Sequence, residues 1–308
     1  MEIALQFVLL ALGFVMLGKG ADWFVEGAAG IAMRFGIPQL VIGLTIVAMG
    51  TSAPEAAVSI AAAVKGNADI TIGNIVGSNI LNILIILGLA ASIVPIAVAR
   101  STVRIEIPFM IGVTALLFYH GRDGSISLAD GGVLMVAFAA YMMYLYTMAM
   151  KSNVDSDLEE PGLPLGRCLL GAVGGLALII AGSNVTVGAA TSIATYAGLS
   201  ERFIGLTIVA LGTSLPELFT SVAAARRGNA DIAIGNIVGS NIFNILFVVG
   251  LSSLIIDIPF ASAFNFDTYV ALGAAVLLWL CVLRTQRLQR WAGALMLVCY
   301  AAYLGYIL

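Results

Sequence analysis

The stretch GLTIVAMGTSAPEAAVSIAAAVKGNADITIGNIVGSNILNILIILG, residues 43–88, occurs a second time as GLTIVALGTSLPELFTSVAAARRGNADIAIGNIVGSNIFNILFVVG, residues 205–250. The offset is 162 without a gap, and 33 of the 46 aligned positions are identical. Weaker similarity reaches back through Gly20/Gly182 and Gly36/Gly198. The chain is an internal duplication. Its identity concentrates in polar residues, GTSxPE and GNxxGSNxxN, which packing alone would let drift.

Those polar residues sit in an apolar chain. It is 61% hydrophobic and 10% charged, against roughly 25% charged in soluble domains, so lipid is the solvent it fits. About 20 apolar residues cross a bilayer. Ten such spans are predicted, at 3–33, 38–64, 69–94, 104–120, 127–150, 165–196, 201–225, 231–256, 265–284 and 288–308. The first and sixth are long enough to be strongly tilted. The offset covers five spans, an odd number, so the halves enter the membrane from opposite sides. The expected fold is an all-α polytopic membrane protein of ten transmembrane helices in two inverted-topology five-helix repeats, 1–150 and 164–308. Between them lies one sizeable hydrophilic segment, the acidic linker 151–163, too short to be a soluble module.

Ten spans place ten Lys and Arg residues (Arg34, Arg100, Arg104, Lys151, Arg167, Arg226, Arg227, Arg284, Arg287, Arg290) in loops opposite the termini, and three (Lys65, Arg122, Arg202) on the terminus side. Positive charge favours the cytoplasm, so both termini are expected outside it and the linker within. The N-terminus lacks a basic segment before its apolar run and reads as a retained helix, not a cleaved signal. No basic patch marks nucleic acid. Cys168, Cys281 and Cys299 lie in apolar runs without CxxC spacing and read as packing residues. His120, in HGRDG, reads as a loop residue. A short chain without targeting features suits a prokaryotic cytoplasmic membrane. Membrane lipid surrounds it, and no obligatory protein partner is evident.

Glu55 and Glu217 fall near the middle of their spans. A carboxylate there is costly and marks a functional site. Two at equivalent places in inverted halves would meet centrally and repel unless a cation or proton lies between them. Hard oxygens suit Ca²⁺ or Na⁺. Thr51, Ser52 and Glu55 share a helix face, as do Thr213, Ser214 and Glu217. Pro54 and Pro216 lack the N–H and are expected to break each helix, freeing carbonyls around Ala48 to Thr51 and Ala210 to Thr213 for a cation. In the next span Ser78 and Asn82, like Ser240 and Asn244, are four apart and offer neutral oxygens. Gly73, Gly77, Gly235 and Gly239 read as close-packing positions, while Asn74, Asn79, Asn236 and Asn241 read as side chains that hold the helix break. Asp69 and Asp231 read as helix N-caps. Lys19, Asp22 and Glu26 are spaced for an ion pair within the first span; the second half has Ala181, Asn184 and Gly188 there. Asn184-Val185-Thr186 fits a glycosylation pattern but falls within a predicted helix.

These paired segments resemble the alpha repeats of the cation/calcium exchanger superfamily, in particular prokaryotic sodium/calcium exchangers. The resemblance implies no enzyme and no cofactor, with Ca²⁺ and Na⁺ as transported ions. It implies a Ca²⁺ site from Glu55, Glu217 and the Thr51 and Thr213 carbonyls. It implies Na⁺ sites from Ser52, Ser78, Ser214, Ser240 and the Ala48 and Ala210 carbonyls, with Asn82 and Asn244 at the remaining central positions. Some relatives, including potassium-dependent exchangers, have aspartate where this chain has Asn244, so K⁺ co-transport is not expected. A proton/cation antiporter using the same glutamates and a passive channel are the alternatives. An intramembrane enzyme is disfavoured: a serine hydrolase would want a histidine near its serine and the one histidine, His120, reads as a loop residue, while an aspartyl protease would want two intramembrane aspartates and only Asp22 is at all deep.

Overall fold

Helix α1, Glu2–Phe35, is 34 residues long, about 51 Å at 1.5 Å per residue. That exceeds the roughly 30 Å hydrocarbon core and requires tilt. The computed structural model describes residues 2–66, 68–152, 163–198 and 210–307. The chain continues through α2 (Gln39–Thr51), α3 (Ala53–Val64), α4 (Ile70–Ile93), α5 (Thr102–Asp123), α6 (Leu128–Lys151) and α7 (Leu165–Tyr196). The short α8 (Ala210–Thr213) and α9 (Leu215–Arg226) follow, then α10 (Ala230–Ile255), α11 (Ala263–Leu283) and α12 (Arg290–Ile307). Among the described residues eight helices are long and apolar enough to cross a membrane, or nine if the bent pair α2–α3 is one span. Part of the expected seventh span, 201–209, lies outside the described residues.

The core lies in the segments that carry the repeat. The apolar window of α10 is 94% buried and that of α4 78%, against 17% for α1, α6 and α12. Leu5, Val8, Val15, Val136 and Val298 are among the large apolar side chains left exposed. A soluble protein avoids such continuous apolar surface; an integral membrane protein requires it.

Helices α1 and α7 pack backbone to backbone. A Cβ on Gly20 would stand 2.9 Å from the Gly175 carbonyl oxygen, so the crossing needs residues without side chains there. Two small antiparallel ladders, which the all-helical expectation did not include, clip the ends of the halves together. Strand β1 (Ile96–Ala97) pairs with β4 (Arg287–Leu288), and β2 (Ser125–Ile126) with β3 (Ile258–Pro259). The 162-residue offset carries β1 onto β3 and β2 onto β4, so the duplication governs contacts beyond the repeated motif.

Candidate functional site

The GTSxPE segment forms two helices, not one kinked helix. Helix α2 stops at Thr51, Ser52 takes φ −82° and ψ 4°, and α3 restarts at Ala53. The axes differ by 51°. Pro54 sits in the first turn of α3 and Pro216 in the first turn of α9, where the missing N–H would have no partner anyway. The prolines thus start helices. Glu55 and Glu217 each fall in that first turn, at the positive end of the helix dipole, which favours a carboxylate.

Both glutamates are 1% exposed, and Glu217 lies near enough to act on Glu55 through its charge. The halves hold each other's carboxylates. The Ser52 hydroxyl donates to Glu217 Oε1 at 2.7 Å, and the Ser214 hydroxyl donates to Glu55 Oε1 at 3.2 Å. The Thr51 and Thr213 side chains lie beside Glu217 and Glu55 respectively. The backbone behind each glutamate is pinned by the next span: Asn74 Nδ2 donates to the Glu55 carbonyl (3.3 Å) and Ser59 Oγ (2.9 Å), and Asn236 Nδ2 to the Glu217 carbonyl (3.4 Å) and Ser221 Oγ (2.9 Å).

The central asparagines interlock across the halves. Asn79 and Asn241 each donate to the other's backbone carbonyl at 3.2 Å. Asn82 Nδ2 donates to Asn241 Oδ1 at 2.9 Å, and Asn244 Nδ2 to Asn79 Oδ1 at 3.1 Å. With their amide nitrogens committed, Asn82 and Asn244 present Oδ1. These two oxygens, with Glu55 Oε2 and Glu217 Oε2, are buried acceptors without a protein donor. An unpaired buried acceptor costs about 1–3 kcal/mol, more when charged. All four belong to side chains that hydrogen-bond across the two repeats, and oxygens of this kind are the ones hard cations prefer. Asn82 and Asn244 also each begin a π-helical turn, Asn82–Leu87 and Asn244–Val249, a feature frequent at functional sites. Nothing in the sequence pattern signals it.

Of the remaining residues, some lie where expected and others do not. The Ala48 carbonyl is not free: it accepts from the Ser52 N–H (3.0 Å) and the Ser240 hydroxyl (3.4 Å). Ser78 is buried in α4, and Ala210 opens α8. Asn79 and Asn241 join the halves and do not hold the helix breaks. Lys19 does not pair with Asp22 and Glu26. Arg227, just past α9, does, at 3.2 Å to each, because α9 runs beside α1. Asp231 is not an N-cap: Asn229 holds the N-cap position of α10, without a side-chain capping bond, and Asp231 lies in the first turn. The side chain of Asp69 lies outside the described residues. His120 is not in a loop but ends a helix (Ile107–His120) and pairs with Asp130. Asn184 lies inside α7. One buried carboxylate was missed. Glu106 in α5 is fully buried, accepts the Tyr144 hydroxyl and leaves Oε2 without a partner. An ionisable residue inside an apolar run was the available signal.

Helices of membrane length surround a pair of buried carboxylates, and the family model that the chain matches makes it a transporter, not an enzyme. Residues 5–147 and 168–308 match the family model described as sodium/calcium exchanger protein. CaxA of Alkalimonas amylolytica is 40% identical over 314 residues, covering 98% of this chain and 98% of the relative. The sodium/calcium exchanger MaX1 of Methanosarcina acetivorans is 33% identical over 345 residues, again covering 98% of each. The solved structure of the sodium-calcium exchanger NCX_Mj superposes with a TM-score of 0.86 at 34% identity, over 98% of this chain and 99% of that one. The chain belongs to the sodium/calcium exchanger family, whose members transport these ions.

Proposed function

We propose that the chain exchanges Na⁺ for Ca²⁺ across a prokaryotic cytoplasmic membrane by alternating access, independently of K⁺. The supporting observation is the set of four unpaired acceptors, Glu55 Oε2, Glu217 Oε2, Asn82 Oδ1 and Asn244 Oδ1. Two carboxylates match the charge of one Ca²⁺. The Thr51 and Thr213 carbonyls complete its shell from the helix breaks. Asn244, where an aspartate would add a third negative charge, keeps the site at two. Na⁺ competes for the same oxygens with help from Ser52, Ser78, Ser214 and Ser240 and the Ala48 and Ala210 carbonyls. The Ala48 carbonyl joins only after the Ser240 hydroxyl releases it. Ten spans in two inverted repeats, 1–150 and 164–308, with the acidic linker cytoplasmic and both termini outside, place the site between the halves. Helices α1 and α7, in mutual backbone contact, slide as one body to expose it to each side in turn.

Ca²⁺ uptake into proteoliposomes loaded with Na⁺, K⁺ or acid tests this. The outward Na⁺ gradient alone is expected to drive uptake. Uptake driven by the pH gradient alone would make the protein a proton antiporter on the same scaffold, and non-saturating flux without a gradient would make it a channel.

Asn241→Ala removes the acceptor that orients the Asn82 amide. One buried donor loses its partner, worth about 1–3 kcal/mol, so Ca²⁺ affinity is expected to fall roughly 5- to 150-fold. Calorimetric titration of the purified variant reads it, and unchanged affinity would remove Asn82 from the site.

A further inference from the structure

A second cleft lies away from the carboxylates, between α1 and α9. The two helices run side by side there. Phe14 and Phe219 meet with ring centroids 6.1 Å apart at one end. Eight residues further along each helix, Asp22 meets Arg227. The cleft between has a volume of about 520 Å³, within the roughly 300–1,000 Å³ of ligand pockets. Its apolar wall is Phe14, Val15, Phe219 and Val222; Lys19 and Arg226 line it toward the charged end.

The charges divide unequally. Asp22 and Glu26 both bind Arg227, so the acidic groups at this end are already engaged. Among the described residues Lys19 and Arg226 have no ion-pair or hydrogen-bond partner, and both are exposed. α9 runs from the central Glu217 outward to Arg226, so the apolar wall lies at membrane depth and the two cations lie toward the interface. A groove that is apolar inward and cationic outward has the polarity of a phospholipid. Basic pockets between transmembrane helices bind anionic headgroups, and long cationic side chains reach the interface from apolar surroundings.

We propose that this groove is a binding site for an anionic phospholipid, with the headgroup phosphate on Lys19 and Arg226 and an acyl chain along Phe14, Val15 and Val222. Neither carboxylate takes part, so the proposal stands apart from the transport reading. The site touches α1, so lipid bound here fills the space between that helix and the core bundle.

The test is native mass spectrometry of the detergent-solubilised protein with phosphatidylglycerol, phosphatidylcholine or glycerol phosphate. The unmodified chain is expected to retain phosphatidylglycerol over phosphatidylcholine. Lys19→Gln with Arg226→Gln should cut that retention about tenfold or more, as loss of two basic contacts implies. Arg104→Gln with Arg284→Gln, the same loss of charge at exposed positions elsewhere, should leave it intact. Val222→Trp, which fills the groove while keeping both cations, should also displace the lipid. Equal retention of the two lipids, equal loss in the Arg104/Arg284 variant, or displacement by glycerol phosphate at concentrations matching the lipid would overturn the proposal.

Discussion

Replacing Glu55 by glutamine is expected to reduce Na⁺-driven Ca²⁺ uptake by at least about 100-fold, and Glu217→Gln should do the same. The substitution keeps the volume and an acceptor for the Ser214 hydroxyl, which stands 3.2 Å from Glu55 Oε1. It removes one of the two negative charges in a site 1% exposed. Taking one partner from a buried charge cluster costs about 3–5 kcal/mol, and each 1.4 kcal/mol is tenfold in affinity. The apo protein should not suffer, because the variant also removes repulsion between neighbouring carboxylates. Melting of the purified variant at or above that of the parent, with transport gone, is the expected pair of results. Retained transport would show that the ion is held elsewhere.

Gly239→Ala is expected to disturb the site through a single added methyl group. A Cβ at Gly239 would stand 2.8 Å from the Leu44 Cα, the Leu44 carbonyl oxygen and the Ala48 Cβ. Two of these atoms are backbone and cannot turn aside, so α10 must withdraw from α2. Overpacking of this kind costs about 1–3 kcal/mol and occasionally more. The displaced segment carries the Ala48 carbonyl and the start of the break at Ser52, so the cost falls on the site. Transport should drop roughly 5- to 150-fold, together with a lower yield of folded protein. Full activity would mean that α2 and α10 separate without disturbing the oxygens. For the paired glycines Gly73 and Gly77 the corresponding stretch of chain, 205–209, lies outside the described residues.

What the sequence made legible followed from its duplication. Span lengths came from hydropathy, the breaks from GTSxPE, and the glutamates from the cost of a carboxylate in lipid. The limits have physical causes. A proline marks a break but does not say whether it kinks one helix or begins another, because that depends on which carbonyls find other donors. The Ala48 carbonyl found two, the Ser52 N–H and the Ser240 hydroxyl. Whether Asn79 and Asn241 face their own helix or the opposite half depends on how the repeats dock, which no single helix encodes. Arg227 could not be matched to Asp22 and Glu26, because they lie some 200 positions apart in sequence (|i−j| 205 and 201). Glu106 was legible by the same rule that found Glu55, but it has no repeated partner: Thr268 stands at the equivalent place.

The most direct test is equilibrium Ca²⁺ binding to the purified protein as Na⁺ is raised. Two carboxylates flanked by neutral oxygens should bind one Ca²⁺ per chain, Na⁺ should displace it completely, and Glu55→Gln and Glu217→Gln should each abolish the binding. Ca²⁺ binding indifferent to Na⁺, or surviving in both variants, would contradict a shared site between the repeats.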